Sequence, residues 1–307
     1  MEIPGEADSN IFEGSVFAGS GLEHIIRVNE PLGPMTWLKI GGPARYFAEP
    51  TTELELVQLL KLCYQSKLPV RLLGGGSNLM VREAGFDGVV VSLSSPLFSS
   101  ISIEKNRIRC GCGAKLSHLI THAVGAGLGG LEHLVGIPGT VGGALHANAS
   151  TLNGDIGQHV LGAKLLSTSG ELIERSGAKL HFATGTSSLD ELVILDCEFQ
   201  LEPADIKTLT SRMQTLWIVK RANQPNPSMA CAIPFIDPIT SSAAALIEQA
   251  GLKGASEGAV QLSAHYPNYL IAGTGATSEQ VIALIERATM AVYKLTGVQL
   301  QLHLRIW

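Results

Sequence analysis

Residues 71–81 read RLLGGGSNLMV, and this stretch decides how the fold is interpreted. An apolar run, typical of a short buried strand, leads directly into Gly74, Gly75 and Gly76. Glycine lets the backbone adopt positive φ angles and lets another group approach without a Cβ in the way. Successive N–H groups exposed in such a turn form a concavity that binds anions. The stretch therefore indicates either a phosphate-binding loop or a tight surface turn.

The sequence around these glycines excludes two common phosphate-binding motifs. No Gly-Lys followed by Ser or Thr comes next, so the stretch is not a Walker loop. It is not the dinucleotide fingerprint either, because the glycine spacing differs and no clear βαβ unit surrounds it.

Two further glycine-rich stretches favour the phosphate-binding interpretation. Residues 136–148 read GIPGTVGGALHAN, and residues 40–47 read IGGPARYF. Each of the three stretches lies at the end of an apolar segment. Together they predict one large phosphorylated cofactor that is held mainly by backbone groups.

The composition excludes several other classes of protein. The chain has 307 residues, of which 45% are hydrophobic and 16% charged, and its formal net charge is −5. This balance gives no sign of a nucleic-acid or anionic-membrane partner. No apolar run reaches about 18 residues, so no membrane span is expected. The five cysteines are scattered and odd in number, which is typical of free thiols in a reducing cytoplasm. His118 and His122 lack a third ligand, so no metal site is expected.

Alternating helix and strand patterns indicate three parts of the chain. Residues 1–20 are expected to be a disordered or loosely attached leader, and residues 21–203 a domain with subdomains at about 21–98 and 99–203. A Pro-rich change of pattern predicts a second domain over 204–307. The apolar spacing predicts one long helix over 116–134, and the alternation in 298–306, VQLQLHLRI, predicts a strand.

The sequence resembles a known family. TWLKIGGPARYF (36–47), LLGGGSNLMV (72–81) and GLEHLVGIPGTVGGALHANA (130–149) resemble the UDP-N-acetylenolpyruvoylglucosamine reductases, the flavoenzymes of peptidoglycan precursor synthesis. The likeness continues through TSSLDELVILDCEF, KRANQP and LIEQAGLKG, and spans roughly residues 30–307.

The resemblance implies an α+β fold, in which a two-subdomain FAD-binding module of the vanillyl-alcohol-oxidase type precedes a C-terminal α+β substrate domain. It implies non-covalent FAD, NADPH as co-substrate, a UDP-sugar substrate and a cytoplasmic, monomeric enzyme. The residues expected to bind the cofactor are Gly41, Gly42, Arg45, Gly74, Gly75, Gly76, Ser77, Asn78, Leu79, Ile137, Pro138, Gly139, Thr140, Gly142, Gly143 and Asn148.

The resemblance also implies a proton donor, which maps to Cys231. Members of the family use a Ser or Cys there to protonate the carbanionic enolate that forms after hydride transfer. Here Ala230 replaces the preceding glycine, Ile233-Pro234 looks inserted, and Ile236 and Asp237 replace a lysine and an asparagine. A free cysteine is also commonly a small buried core residue, so this alternative stays open.

Two other chemical positions of the family differ in this chain. Thr184 and Gly185 stand where the family has a Tyr-Arg pair, so a fixed positive charge is absent. His303 replaces the glutamate of the last strand, and its imidazole is expected to support the enolate or act as an acid. An ordinary strand residue at this position is the alternative.

These departures leave two hypotheses. In the first, a divergent reductase uses Cys231 and His303, and another basic group such as Lys220 or Arg221 stabilises the anion. In the second, the chain is a flavin- or nucleotide-binding pseudoenzyme, because the loss of one preorganised charge typically costs about 10²–10³ in rate. The residues expected to bind the substrate are Lys220, Arg221, Gln224 and Asn268.

Overall fold

The structure, a computed structural model, describes residues 12–226, 228–239 and 241–307. The helices are α1 (Glu53–Gln65), α2 (Leu116–Gly125), α3 (Val141–His146), α4 (Ile206–Ala222), α5 (Ala243–Gln249) and α6 (Ser278–Thr296). The strands are β1 (Ile26–Pro31), β2 (Pro43–Ala48), β3 (Val70–Leu72), β4 (Leu79–Met80), β5 (Phe86–Val91), β6 (Ile101–Glu104), β7 (Arg107–Gly111), β8 (Leu128–Gly129), β9 (Ser150–Thr151), β10 (Gly154–Asp155), β11 (Val160–Leu166), β12 (Leu172–Ser176), β13 (Phe182–Ala183), β14 (Thr186–Ser187), β15 (Val193–Gln200), β16 (Glu202–Pro203), β17 (Ala230–Ala232), β18 (Phe235–Ile236), β19 (Ser256–Glu257), β20 (Val260–Leu262), β21 (Leu270–Ala272), β22 (Gln301–Leu302) and β23 (Arg305–Ile306). Across the described ranges, no helix combines the length and the apolar character needed to cross a membrane.

The first sheet has the strand order β1-β2-β5-β3. Strands β2, β5 and β3 are parallel, and β1 is antiparallel to β2. Helix α1 begins at a capping box formed by Thr52 and Glu55, which satisfies orphan backbone donors at its first turn. The apolar face of α1 packs in the same core cluster as β5. This arrangement directs the carboxyl end of β3 into the glycine triplet.

The second sheet is antiparallel, with the order β12-β11-β15-β7-β6. Helix α2 packs Leu116, Leu119, Ile120 and Ala123 into its core, at the spacing of one helix face. The helix ends at Gly125, so the helix predicted over 116–134 is wrong in its second half. Gly127 has φ = 69°, a left-handed conformation that ends a helix without a Cβ penalty.

The third sheet, of order β17-β21-β20-β19, carries α5 and α6 on one face. Its core also includes Leu38, Ile40 and Met80, which belong to the part of the chain before residue 204. The chain then returns to the first domain, because β23 pairs in parallel with β4. The two predicted domains therefore share a core, and their exact boundaries stay a prediction.

The run 298–306 does not form one continuous strand. It divides into β22, which pairs with β18, and β23, which pairs with β4. The break falls at His303 and Leu304, whose N–H groups both point to the carbonyl oxygen of Pro234, at 2.7 and 3.2 Å. The alternating pattern thus correctly predicted extended chain. It did not predict that two parts of this chain pair with two different strands.

The expectation of a loosely attached leader is wrong for residues 12–20, while residues 1–11 lie outside the described part. Phe12 and Phe17 are buried in the core cluster that includes α1. The ring of Phe17 stands edge-on to that of Tyr46, with centroids 4.9 Å apart. These two apolar anchors fix the segment, which local composition alone did not reveal.

We expect Phe17→Ala to lower the free energy of unfolding by about 3–5 kcal/mol, because it empties a fully buried site. The neighbouring Val16 is 39% exposed, so Val16→Ala should change stability by no more than about 0.5 kcal/mol. Chemical denaturation of both variants measures this difference. Equal effects of the two substitutions would contradict the anchoring role of Phe17.

Candidate active site

Two of the predicted cofactor loops meet directly. A Cβ added to Gly75 would lie 2.7 Å from the Cα of Gly139, and one added to Gly74 would lie 2.8 Å from Thr140 Oγ1. The hydroxyl of Ser77 lies 3.5 Å from the carbonyl oxygen of Pro138. Two loops separated by about sixty residues of chain thus form one surface, which only glycine allows at this distance.

This surface presents unpaired backbone donors. Within the residues described, the N–H groups of Gly74, Gly75, Gly76 and Ser77 donate to no carbonyl or side chain. The N–H group of Gly139 likewise has no acceptor there. Gly74 and Gly75 are also exposed to solvent. A row of free N–H groups on an open loop fits the diphosphate of a dinucleotide such as FAD.

The third glycine-rich stretch lies beside this surface and supports it. Gly42 packs against the backbone of Glu83, and its N–H donates to the Arg82 carbonyl oxygen at 3.0 Å. The preceding segment reaches the triplet through Trp37, whose N–H donates to the Gly76 oxygen at 2.9 Å. Arg45, also predicted to bind the cofactor, instead has its guanidinium 3.2 Å from Asp87 on β5.

At some of these positions glycine is required by packing inside the protein rather than by the approach of a ligand. A side chain on Gly76 would meet Met35 O, and one on Gly41 would lie 2.6 Å from Val81 Cβ. Gly142 packs on the Cys112 backbone, with a Cβ-to-oxygen distance of 3.1 Å. Gly143 differs, because it is exposed to solvent. A Cβ added there would lie 3.5 Å from Thr140 Oγ1 and would meet nothing else within 4 Å. Only there would an added methyl group probe the ligand rather than the protein.

Two predicted cofactor residues use their side chains mainly inside the protein. Asn148 is 3% exposed, donates to the Ala183 oxygen at 3.1 Å and accepts from Gly157 N at 3.2 Å. Asn78 donates to the His303 carbonyl oxygen at 3.0 Å, whereas its Oδ1 is buried without a partner in the described chain. The adjacent Leu79 lies in β4, and Ile137 packs against the second sheet's core.

Cys231 lies on the side of the third sheet that faces away from α5 and α6. Its neighbour Ala232 points into the helix-covered core, and successive strand residues point to opposite faces. Cys231 is only 4% exposed, yet it belongs to none of the hydrophobic clusters. Burial raises the pKa of its thiol, so the proton is retained at neutral pH. This is the condition that a proton donor must meet.

His303 connects the glycine triplet with the segment that follows Cys231. Its N–H donates to Pro234 O at 2.7 Å, and its carbonyl oxygen accepts from Asn78 Nδ2 at 3.0 Å. The Asn268 side chain holds the same segment, because it donates to Phe235 O at 2.8 Å and accepts from Phe235 N at 3.3 Å. Asn268, predicted to bind substrate, thus has a structural role in shaping the site.

Gly185, which stands where the family has the arginine of its Tyr-Arg pair, lies in a tight turn between β13 and β14. Gly185 has φ = 73°, and a Cβ there would lie 3.1 Å from Cδ1 of Ile236. The hairpin rests on α3, because Ser187 Oγ lies 3.4 Å from the carbonyl oxygen of His146. The turn therefore meets the segment after Cys231 with apolar contact and without a charge.

The basic residues predicted to replace that charge lie at the end of α4. The Lys220 stem packs on Gly136, where an added Cβ would be 3.0 Å from its Cγ, and burial lowers the pKa of its ammonium group. Arg221 is exposed and stacks on Trp217 at 5.9 Å. Gln224 follows the helix and is partly buried. Lys220 thus lies beside the cofactor loop 136–143, and no described contact of either cation reaches His303.

Sequence reasoning missed three residues of this site, namely His146, Tyr269 and Arg305. Burial and then the Arg305 guanidinium lower the pKa of His303, and desolvation and the same guanidinium lower the pKa of His146. Burial, followed by the neighbouring Cys231, raises the pKa of Tyr269 to about 12. The sequence signal for Arg305 was its position two residues after His303 in the alternation at 298–306, whereas His146 and Tyr269 lie outside that stretch.

Comparisons with known proteins agree with this architecture. A family model for an FAD binding domain matches residues 44–176. A second model, for the C-terminal domain of UDP-N-acetylenolpyruvoylglucosamine reductase, matches residues 224–307. In the described ranges, no group of three His, Cys, Asp or Glu residues could hold a metal ion. The fold and the site thus define an FAD-binding flavoprotein with a C-terminal α+β domain.

Whole-chain similarities make the assignment specific. The UDP-N-acetylenolpyruvoylglucosamine reductase of Rhodopirellula baltica is 45% identical over 286 residues, which cover 93% of this chain and 94% of that protein. Reductase 2 of Symbiobacterium thermophilum is 36% identical over 284 residues, or 92% of each chain. The crystal structure of the enzyme from Thermus caldophilus aligns with a TM-score of 0.78 at 28% identity, over 92% of this chain and 99% of that one. The chain belongs to the UDP-N-acetylenolpyruvoylglucosamine reductase family, which confirms the predicted fold class, the FAD cofactor and an oxidoreductase.

We expect Gly143→Ala to weaken FAD binding by about tenfold or more without destabilising the apo-protein. An added methyl group meets only Thr140 Oγ1, at an ordinary contact distance of 3.5 Å, and alanine favours a helix over glycine by up to about 1 kcal/mol. Flavin titration and thermal unfolding measure the two effects. Gly125→Ala, in α2, where an added Cβ meets nothing within 4 Å, is the control and should keep full affinity. Full FAD affinity in Gly143→Ala would remove Gly143 from the cofactor surface.

We expect Arg305→Gln to raise the pKa of both His303 and His146, because it removes a nearby positive charge and leaves the burial unchanged. Histidine-detected NMR titration measures these values. Arg287→Gln, on α6 at the far face of the third sheet, should leave both titrations where they are. Unchanged titration of both histidines in Arg305→Gln would mean that the three groups do not share one site.

Proposed function

We propose that the protein reduces the enolpyruvyl group of UDP-N-acetylglucosamine enolpyruvate to UDP-N-acetylmuramate with NADPH, in peptidoglycan precursor synthesis. The observation that carries the proposal is Cys231, a buried thiol on the face of the third sheet opposite its helices. The name of the Rhodopirellula baltica relative, 45% identical over nearly the whole chain, supports the same reaction. The alternative, a pseudoenzyme, rests on the absent arginine at Gly185 and the absent glutamate at His303, and the flavin reoxidation experiment below separates the two.

The free N–H groups at 74–77 and Gly139 are proposed to hold the FAD diphosphate, with Lys220 as the nearby cation. The Lys220 ammonium has no carboxylate partner within the described residues, and its stem lies against Gly136 of the same loop. When bound, FAD supplies hydride transfer from NADPH to the enolpyruvyl double bond. The protein supplies the position, the charge and the proton.

The hydride is added to one carbon of the enolpyruvyl double bond. Cys231 is proposed to give its thiol proton to the other carbon of that double bond. The hydride and this proton together saturate the double bond, and NADP⁺ and a thiolate remain. A thiolate in a buried site is unfavourable, so it takes one proton from solvent water before the next cycle, and the net reaction consumes NADPH and that proton. Tyr269 lies two residues before Ile271, the direct partner of Cys231 in β21, and therefore on the same sheet face. Its hydroxyl is the neighbouring group suited to donate a hydrogen bond to that thiolate.

His303 is proposed to act as a neutral hydrogen-bond donor to the enolate oxygen. Its lowered pKa makes the imidazole uncharged near pH 7, so it supplies a directed N–H rather than a full charge. The positive charge must then come from another residue. Gln224 and Arg221, at and just after the end of α4, remain proposed contacts of the sugar nucleotide.

We further propose a cytoplasmic monomer with domains at 21–98, 99–203 and 204–307, the last of which binds substrate. The cysteines are free and buried, which fits a reducing compartment. NADPH and a UDP-sugar are both soluble anionic metabolites, so a membrane or nucleic-acid partner has no role in this reaction.

We expect the purified protein to be yellow, to be bleached by NADPH, and to be reoxidised by the enolpyruvyl sugar nucleotide in stopped-flow absorbance. Cys231→Ala should keep the bleaching step and lose about 10²–10⁴ in turnover, the usual contribution of a positioned acid. Cys231→Ser is the matched control, because a hydroxyl keeps a donor, and it should retain far more turnover.

Two outcomes would contradict the proposal. A yellow, NADPH-reducible protein that the sugar nucleotide does not reoxidise would favour the pseudoenzyme. Unchanged turnover in Cys231→Ala would remove Cys231 from the mechanism while leaving the reaction itself in place.

A further inference from the structure

We propose that Arg305 binds the carboxylate of the substrate and supplies the positive charge that the family takes from its Tyr-Arg pair. This inference rests on the proposed function, since it names the group that recognises the enolpyruvyl carboxylate. It assigns the role to a different element, the strand β23, rather than to the β13–β14 turn.

The backbone holds Arg305 at the cofactor surface. Its N–H donates to Asn78 O at 3.0 Å, and its Cα is paired with Leu79 in the β23–β4 ladder. The residue thus directly adjoins the loop GGGSN, whose free N–H groups face the cofactor. A side chain anchored at this point extends from rigid paired backbone, which suits a group that must bind in one orientation.

The guanidinium of Arg305 is exposed and has no carboxylate partner among the ion pairs of the described chain. Asp190, the acidic group that acts on His146, is held 2.6 Å from Arg175. The positive charge of Arg305 lowers the pKa of the His303 and His146 imidazoles, so the guanidinium lies near both. Arg305 is therefore a cation whose neighbours at the site are neutral donors.

The two departures from the family, at Gly185 and at His303, have opposite effects on the charge of the site. The arginine absent at Gly185 removes one positive charge, and the glutamate absent at His303 removes one negative charge, so the net charge of the site is unchanged. A glutamate at position 303 would lie beside Arg305 and pair with it. With histidine there, the guanidinium is free to form a bidentate pair with the substrate carboxylate.

The other basic residues fit this role less well. The Lys220 stem is packed on Gly136, and Arg221 stacks on Trp217 at the end of α4. The β13–β14 turn, where the family has its arginine and this chain has Gly185, lies against the apolar side chain of Ile236. Of these positions, only Arg305 adjoins both His303 and the cofactor loop.

The test uses two ligands that differ in one group. UDP-N-acetylmuramate carries the lactyl carboxylate, and UDP-N-acetylglucosamine lacks it. Calorimetric titration of the FAD-loaded protein gives the affinity for each. We expect Arg305→Gln to weaken UDP-N-acetylmuramate binding by about tenfold or more and to leave UDP-N-acetylglucosamine binding within about twofold. Arg305→Lys should recover part of the loss, since lysine keeps the charge but not the planar pair of donors.

Two further variants make the result specific. His303→Glu keeps Arg305 but places a carboxylate next to it, and should reduce UDP-N-acetylmuramate affinity selectively in the same way. This variant tests the inference even if Arg305→Gln folds poorly. Arg287→Gln, on the far side of the third sheet, is the matched control and should bind both ligands as the wild type does.

The outcomes separate this inference from the function on which it rests. An equal loss for both ligands in Arg305→Gln would assign the arginine to the shared sugar nucleotide and overturn the inference. A changed flavin absorption spectrum with unchanged ligand affinities would assign Arg305 to the cofactor and overturn it as well. Wild-type protein that binds neither sugar nucleotide would instead contradict the proposed function.

Discussion

The site depends on one backbone contact, the approach of Gly75 to Gly139. Because neither residue carries a side chain, the two loops touch, and their N–H groups remain without acceptors within the described residues. Unpaired donors on a protein surface are satisfied by water or by an anion, and a fixed row of them favours the anion. The parallel strands of the first sheet and the bridge between Lys115 and Thr140 hold the two loops in place.

The second constraint is the return of the chain to the first domain through β23. Pairing with β4 brings the third sheet against the cofactor loops, and Trp307 extends this contact through its N–H to Met80 O at 2.9 Å. The Arg71 guanidinium lies over the Phe86 and Trp307 rings, 4.7 and 5.1 Å from their centroids. The same return positions Arg305 and His303, so the contact that joins the domains also places the residues proposed to act on the substrate.

The chemistry of the site follows from how burial and charge are distributed over it. The thiol of Cys231 and the imidazole of His303 are both pushed toward their neutral forms, the first by burial alone and the second by burial and Arg305. A neutral acid and a neutral hydrogen-bond donor beside one unpaired cation suit a step in which negative charge appears and is then protonated. On the proposed function, the changed family positions give the site a different distribution of charge.

The sequence by itself determined the local elements and the cofactor class. Strands β3 and β5, helices α4 and α6, and the glycine-rich loops follow from apolar spacing and from the backbone freedom of glycine, which are local properties. Only the tertiary structure decided that residues 12–20 are buried, that Asn148 and Gly142 serve packing, and that Arg305 adjoins the cofactor loop. The hydrogen bond from Asn78 to His303 spans 225 residues of chain, and no local pattern encodes a partner at that distance. Such contacts are set by how sheets and cores pack together, so they become visible only when the fold is complete.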